Sequence, residues 1–156
     1  MEISKRFSFQ SRKPKKKGLL TVSTLKNITI SDVVHFAGNK VPLKKSFNMI
    51  TTTMFVPESP NYPGLDFFIW DPSEQVLMAF QVTVKKPFTS HSKIDGANGN
   101  LGLWHELFQS QIDVYWIIPE NCVGNPKDFG DNVILIEDLQ NDFHAFNKLT
   151  LVYNNT

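Results

Sequence analysis

The sequence predicts an α+β fold in which antiparallel strands dominate and a strand–helix–strand segment follows them. Short stretches rich in β-branched and aromatic residues recur along the chain and are separated by turn residues, a pattern typical of strands. One stretch, Leu101–Ser110, instead spaces its apolar residues as one face of a helix. The apolar run Val114–Ile118 that follows is typical of a buried central strand.

The composition is that of an ordinary globular chain. With 156 residues, 41% of them apolar and 20% charged, the sequence is expected to form one domain over residues 1–156. Residues 1–18 are expected to be a basic, partly flexible segment, and a fragment of a larger protein remains an alternative. The single cysteine excludes a disulfide within the chain. Because no apolar run approaches the ~20 residues of a membrane span, and no signal peptide is recognised, we expect an intracellular protein without a membrane partner.

The first half of the chain is expected to be mostly strand. Residues 2–11 alternate loosely between apolar and polar side chains, which favours an edge strand. Leu19–Ile30 is rich in Leu, Val, Thr and Ile, and Phe47–Val56 contains three successive threonines, so both are predicted strands. Between them, Ser31-Asp32 resembles an N-cap and predicts a short turn through Phe36.

A hairpin is predicted next, with strands Leu65–Trp70 and Val76–Val84. The four residues Asp71-Pro72-Ser73-Glu74 join them as a turn, because proline presets φ while Asp and Ser bind nearby backbone groups.

The second half mixes loops, helices and strands. Pro87–Asn100 is rich in Ser, Gly and Asn and predicts a loop, with Asn100 as the N-cap of the following helix. The remaining predicted elements are the helix Leu101–Ser110, the strands Val114–Ile118 and Val133–Ile136, a helix Asp138–Phe146 and a final strand Leu149–Tyr153.

The predicted hairpin carries polar residues that a core strand would not need. Alternation puts Gln81, Thr83 and Lys85 on one face of the second strand, while Asp66 lies near the start of the first strand, next to Pro63-Gly64. An acid on one strand and polar side chains on its neighbour are the ingredients of a metal site. The alternatives are an Asp66 carboxylate that accepts turn N–H groups and a Gln81 amide satisfied within the core.

These residues resemble the motif of the PD-(D/E)XK restriction-endonuclease-like superfamily. Pro63-Gly64-Leu65-Asp66 is similar to its acidic half, and Gln81-Val82-Thr83 is similar to its second half, with Thr in place of Lys. The chain more closely resembles the nuclease-like domains of Crinkler effectors and retrotransposon hot spot proteins. The similar positions are Pro60–Pro63, Asp66, Phe80–Val84, His91, the helix around Leu101–Phe108 and the strand Val114–Ile118 with Pro119.

The resemblance implies a restriction-endonuclease-like mixed sheet with flanking helices, here extended by N-terminal strands. It implies Mg²⁺-dependent hydrolysis of DNA or RNA, in which Asp66 and Gln81 hold the metal, Lys85 steadies the water or phosphate, and His91 assists. Because Thr83 replaces the lysine, a second hypothesis is a catalytically inactive module that binds a host protein or nucleic acid. A plain protein-interaction domain is a third.

A dense basic run near the N-terminus is the second candidate site. It predicts phosphate contacts or a nuclear-import segment, so nucleic acid is the expected partner and the nucleus the expected location. The alternative is a solvated hairpin turn. The candidate residues are Arg12, Lys13, Lys15, Lys16 and Lys17.

Overall fold

The computed structural model of the chain describes residues 5–14, 20–38, 40–59, 62, 65–82, 91–119 and 132–141. These residues form two compact units. Unit 1 holds the described parts of Ile30–Gln81 and His91–Val114, and unit 2 those of Lys5–Thr29, Val82–Ser90 and Tyr115–Thr156. The strands are β1 (Lys5–Pro14), β2 (Leu20–Ile30), β3 (Asp32–Phe36), β4 (Thr53–Pro57), β5 (Phe67–Asp71), β6 (Val76–Val82), β7 (Gln111–Ile118), β8 (Val133–Leu135) and β9 (Gln140–Asn141), and the helix is α1 (His91–Phe108).

In unit 1 the strand order is β3-β4-β5-β6. Strands β3 and β4 are parallel, whereas β5 pairs with both β4 and β6 in antiparallel fashion. Every residue of β4 and β6 is buried, and only the last residue of β5 is not. Both faces of this part of the sheet are therefore covered, which explains why the strands are mostly apolar; Thr53 and Gln81 are their buried polar residues.

The core of unit 1 is aromatic, as thirteen phenylalanines predict. Trp104 on α1 is fully buried and stacks on Phe68 of β5 with ring centroids 3.8 Å apart. Phe108, one helical turn later, packs 4.9 Å from the Trp70 ring. Residues four apart share one face of a helix, so this pair docks α1 onto the sheet.

Helix α1 ends at Phe108 because Gln109 adopts a left-handed conformation with φ of 51°. The N–H of Gln109 donates to the His105 carbonyl at 2.7 Å, which satisfies one of the last helical acceptors.

In unit 2 the order is β2-β1-β8-β7, with β9 also paired to β1. Strand β8 is antiparallel to β1 and parallel to β7. Phe9 of β1 is buried and lies 5.3 Å from Tyr115 of β7 in an edge-to-face arrangement. The Ser8 hydroxyl donates to the Asn27 side chain, which satisfies a buried polar group between β1 and β2.

The described part of the chain contains no helix long and apolar enough to cross a lipid bilayer.

The predicted fold class is wrong. Strand dominates the described residues and α1 is their one α-helix, so they do not form a restriction-endonuclease-like sheet with flanking helices. Over the described part of the predicted helix Asp138–Phe146, a 3₁₀ turn, Ile136–Asp138, leads into β9. Strand β9 pairs with β1 through Ser8↔Gln140, and this tertiary pairing overrides the local capping signal.

Several element boundaries also differ from the prediction. Strand β3 replaces the predicted short turn, because its Val and Phe side chains gain a partner in β4. Helix α1 begins at His91, inside the predicted loop Pro87–Asn100. The predicted strand Phe47–Val56 begins only at Thr53, because the earlier residues form a connecting loop. The predicted final strand, Leu149–Tyr153, lies outside the described residues, and the one-domain prediction stays a prediction.

Candidate functional site

The hairpin predicted to carry the site is formed by β5 and β6. Its turn is stabilised as expected, since the Asp71 carboxylate accepts hydrogen bonds from the Ser73 N–H at 3.0 Å and the Ser73 hydroxyl at 2.7 Å. Gln75 closes the turn with φ of 53°, and its amide donates to the Pro72 carbonyl at 3.0 Å. The hairpin register is thereby fixed.

The register brings Asp66 next to the strand that carries Gln81. Phe67 is the Cα partner of Phe80, and the Asp66 N–H donates to the Phe80 carbonyl at 2.8 Å. This bond is offset by one residue from the pairing of Phe67 with Phe80, so Asp66 lies outside the regular register of the hairpin. Both Asp66 and Gln81 make interactions within the fold.

Gln81 lies on the face of the hairpin that α1 covers. The cross-strand pair Phe68↔Ala79 belongs to the core beneath α1, and side chains alternate along each strand. Alternation therefore places Gln81 on the face of Ala79, whereas Asp66 precedes β5 and its face does not follow from alternation. Gln81 is buried whereas Asp66 is half-buried. A carboxylate and an amide oxygen suit a hard cation in their donor chemistry, and the assignment of Asp66 and Gln81 as metal ligands stays a prediction.

The structure does not describe the side chains of the other two predicted catalytic residues, Lys85 and His91. Thr83 and Lys85 lie outside the described residues. His91 is the first residue of α1, and the structure does not describe its side chain. In the described ranges, no group of three or more His, Cys, Asp or Glu side chains is close enough to hold a metal ion.

The basic N-terminal run is described in part. Arg12 of β1 forms an ion pair with Asp138, with Nη2 and Oδ2 2.7 Å apart and about a quarter of each side chain exposed. Pairing of Arg12 with Val133 brings the guanidinium to the 3₁₀ turn after β8, so this residue has a partner within unit 2. The side chain of Lys13 and all of Lys15, Lys16 and Lys17 lie outside the description.

Sequence reasoning missed a cationic surface on unit 1. The connection between β3 and β4 contains Lys40, Lys44 and Lys45, which are all exposed. No acidic residue occurs from Val33 to Pro57, and this absence from the sequence is the signal that would have identified it. We call residues Lys40–Thr52 the basic loop.

The basic loop is anchored to the core of unit 1 by its own apolar residues. The Phe47 ring stacks on Phe108 at 5.4 Å and meets Phe55 edge-to-face at 4.9 Å. The indole N–H of Trp70 donates to the Met49 carbonyl at 2.8 Å. These contacts fix the middle of the loop against the sheet and the helix.

A buried tyrosine fastens the start of the basic loop. The Tyr62 hydroxyl donates to the Lys40 carbonyl and accepts a hydrogen bond of 2.8 Å from the Trp104 indole N–H. Burial raises the pKa of Tyr62 above its ordinary value, and the hydrogen bond from Trp104 opposes this rise. The neutral phenol therefore connects the helix to the loop.

Replacing Tyr62 by phenylalanine is expected to lower the free energy of unfolding by about 1–3 kcal/mol, because the buried Trp104 N–H loses its acceptor. The raised pKa makes the folded state hold the phenolic proton more tightly than the unfolded state. The advantage of tyrosine over phenylalanine should therefore be complete below pH ~10 and shrink at higher pH. Urea denaturation of both proteins at neutral and alkaline pH measures this difference. A difference that stays constant through the alkaline range would contradict the assignment.

Comparisons with known protein families, with curated proteins and with solved structures found no match to this chain.

Proposed function

We propose that the chain is a non-catalytic binding module for a negatively charged macromolecule, and that the basic loop of unit 1 contacts this partner. The observation that supports it is the exposure of Lys40, Lys44 and Lys45 on a loop whose neighbouring residues are anchored in the core. A fixed loop loses little conformational entropy on binding, which favours its use as a contact surface.

Nucleic acid and a host protein are the partner classes proposed, in keeping with the sequence hypothesis of an inactive module. Lysines neutralise phosphates by electrostatic contact, and they attract acidic protein surfaces in the same way. A membrane partner is not proposed. A nuclear location rests on the basic N-terminal run alone and stays a prediction.

Fluorescence anisotropy with two labelled polyanions, polyglutamate and duplex DNA, tests the proposal. We expect binding of at least one polyanion at low salt and a steep loss of affinity as salt is raised. Labelled polylysine is the control and should not bind. Failure of both polyanions to bind the folded protein at low salt would refute the binding function.

A second candidate function is Mg²⁺-dependent hydrolysis of nucleic acid, as the sequence resemblance implies. The observation in its favour is that Asp66 adjoins the strand that carries Gln81, since the Asp66 N–H donates to the Phe80 carbonyl at 2.8 Å. These two residues would hold the ion, which would polarise a phosphoryl oxygen and lower the pKa of bound water. The roles of Lys85 and His91 in this reaction stay predictions.

Plasmid nicking with Mg²⁺ or Mn²⁺ distinguishes the two functions. The binding module predicts no cleavage by the wild type or by Asp66→Ala. Cleavage by the wild type that disappears in Asp66→Ala would instead establish an enzyme with its metal at Asp66. Equal cleavage by both proteins would assign the activity to a contaminant or to another site.

A further inference from the structure

The basic loop also exposes two large aliphatic side chains. Leu43 is 66% exposed and Ile50 is 82% exposed, which makes Ile50 the most exposed large hydrophobic residue in the described ranges. A single exposed leucine is ordinary on a protein surface. Two such residues in one short loop, close in sequence to three lysines, give the loop both apolar and positively charged exposed side chains.

Local hydrogen bonds fix the backbone of these two residues. The N–H and hydroxyl of Ser46 both donate to the Leu43 carbonyl, at 2.9 and 2.6 Å. The Asn48 side chain accepts from the Ile50 N–H at 3.1 Å, and the Asn48 carbonyl accepts from the Thr51 N–H at the same distance. Each aliphatic residue therefore belongs to a hydrogen-bonded turn.

Two other apolar residues of the loop point toward the core. Phe47 and Met49 pack against the buried cluster of unit 1, whereas the Leu43 and Ile50 side chains are exposed to solvent. Binding does not have to order the loop first, and outward-facing aliphatic side chains on a fixed backbone are suited to act as anchors in a partner.

We propose that the partner of the basic loop is an acidic segment of another protein that also carries apolar side chains. This inference rests on the proposed function and identifies the class of partner for the same surface. Positive charge on the loop requires an acidic partner, because like charges across an interface repel. Leu43 and Ile50 gain from binding only where the partner removes them from water.

The same residues argue against nucleic acid as the partner of this loop. Binding to a single-stranded nucleic acid uses aromatic side chains as stacking platforms for bases. The aromatic residue of the basic loop, Phe47, is instead committed to stacking on Phe108. Exposed Leu43 and Ile50 would gain little from a phosphate backbone, so an acidic and apolar protein segment fits the surface better.

Two synthetic, fluorescein-labelled peptides of equal negative charge test the inference. In one, Asp and Glu are interspersed with Leu, and in the other each Leu is replaced by Ser. We expect the wild type to bind the leucine-containing peptide at least about tenfold more tightly, which corresponds to partial burial of the two aliphatic side chains. The double variant Leu43→Ser with Ile50→Ser should lose about this factor and bind both peptides equally.

The matched control is Leu25→Ser, which removes an exposed leucine from unit 2 and should leave both affinities unchanged. Because all three substituted residues are exposed, the variants should fold, as circular dichroism and thermal melting can verify. Equal affinity of the wild type for the two peptides, or an equal loss in the control variant, would overturn the inference.

Two further probes separate failure of the inference from failure of the proposed function. If the wild type does not discriminate between the peptides, and duplex DNA binds the wild type and the double variant equally, nucleic acid is the partner and the binding function stands. If the wild type does not discriminate between the peptides, and phosphatidylserine vesicles bind the wild type but not the double variant, the partner of this surface is a membrane. Absence of binding to every anionic probe would refute the proposed function itself.

Discussion

Replacing Trp104 by alanine is expected to lower the free energy of unfolding by about 3–5 kcal/mol, the range for removing a large aromatic side chain from a packed core. Trp104 has no exposed surface and stacks on Phe68. Its ring also meets Phe36 and Phe55 edge-to-face at 5.6 and 5.5 Å. One side chain thus joins α1 to three strands, and its loss leaves a cavity that rigid aromatic neighbours cannot close.

Urea denaturation followed by circular dichroism measures this loss. The matched control is His105→Ala, which changes the adjacent, exposed residue of the same helix and should alter stability by less than about 0.5 kcal/mol. If the alanine variant does not fold, Trp104→Phe should give a measurable, smaller loss. A stability change of less than about 1 kcal/mol in Trp104→Ala would contradict the packing described for unit 1.

Reversing two charges of the basic loop is the change with the largest expected effect on binding. The double variant Lys44→Glu with Lys45→Glu should weaken binding of polyglutamate at low salt by about 10- to 100-fold. Each exposed ion pair contributes about 0.2–1 kcal/mol, and reversal replaces attraction by repulsion. Neither lysine is buried, so the variant should keep the stability of the wild type.

The matched control is the double variant Arg6→Glu with Lys26→Glu. It reverses two positive charges of unit 2 and therefore has the same net charge as the basic-loop variant. If binding depends on the basic loop, this control should retain most of its affinity, and the difference between the two double variants should shrink as salt is raised. An equal loss in both variants would show that net charge, and not the basic loop, determines the affinity.

Features set by local chemistry could be predicted from the sequence. The β5–β6 hairpin and its Asp71-Pro72-Ser73 turn follow from residues that prefer those conformations wherever they occur. The helical spacing that ends in Trp104 and Phe108 likewise predicted the face of α1 that packs on the sheet.

Features set by distant partners could not be predicted in this way. Strand β9 forms because β1 offers it a pairing edge, and the local sequence around Asp138 is typical of a helix start instead. The N-terminal extension of α1 to His91 runs through glycines that disfavour a helix on their own. The anchoring of the basic loop through Met49 requires Trp70, which is distant in sequence.

The candidate site could be predicted from the sequence only in part. Alternation along β6 predicted the face of Gln81, whereas no local pattern in the sequence predicted that Asp66 lies outside the regular hairpin register. The ion pair of Arg12 with Asp138 joins residues at opposite ends of the chain, and no local pattern encodes it. The basic loop was not predicted because its three lysines are fewer and less dense than those of the N-terminal run, with apolar residues among them.

The most direct test of the central claim is to titrate polyglutamate into ¹⁵N-labelled protein and follow the backbone amide shifts by NMR. The account predicts that the largest shift changes lie within Lys40–Thr52, and that they diminish in the Lys44→Glu, Lys45→Glu variant. Shift changes concentrated around Asp66 and Gln81, with the basic loop unaffected, would contradict the account and indicate that the β5–β6 hairpin is the functional site.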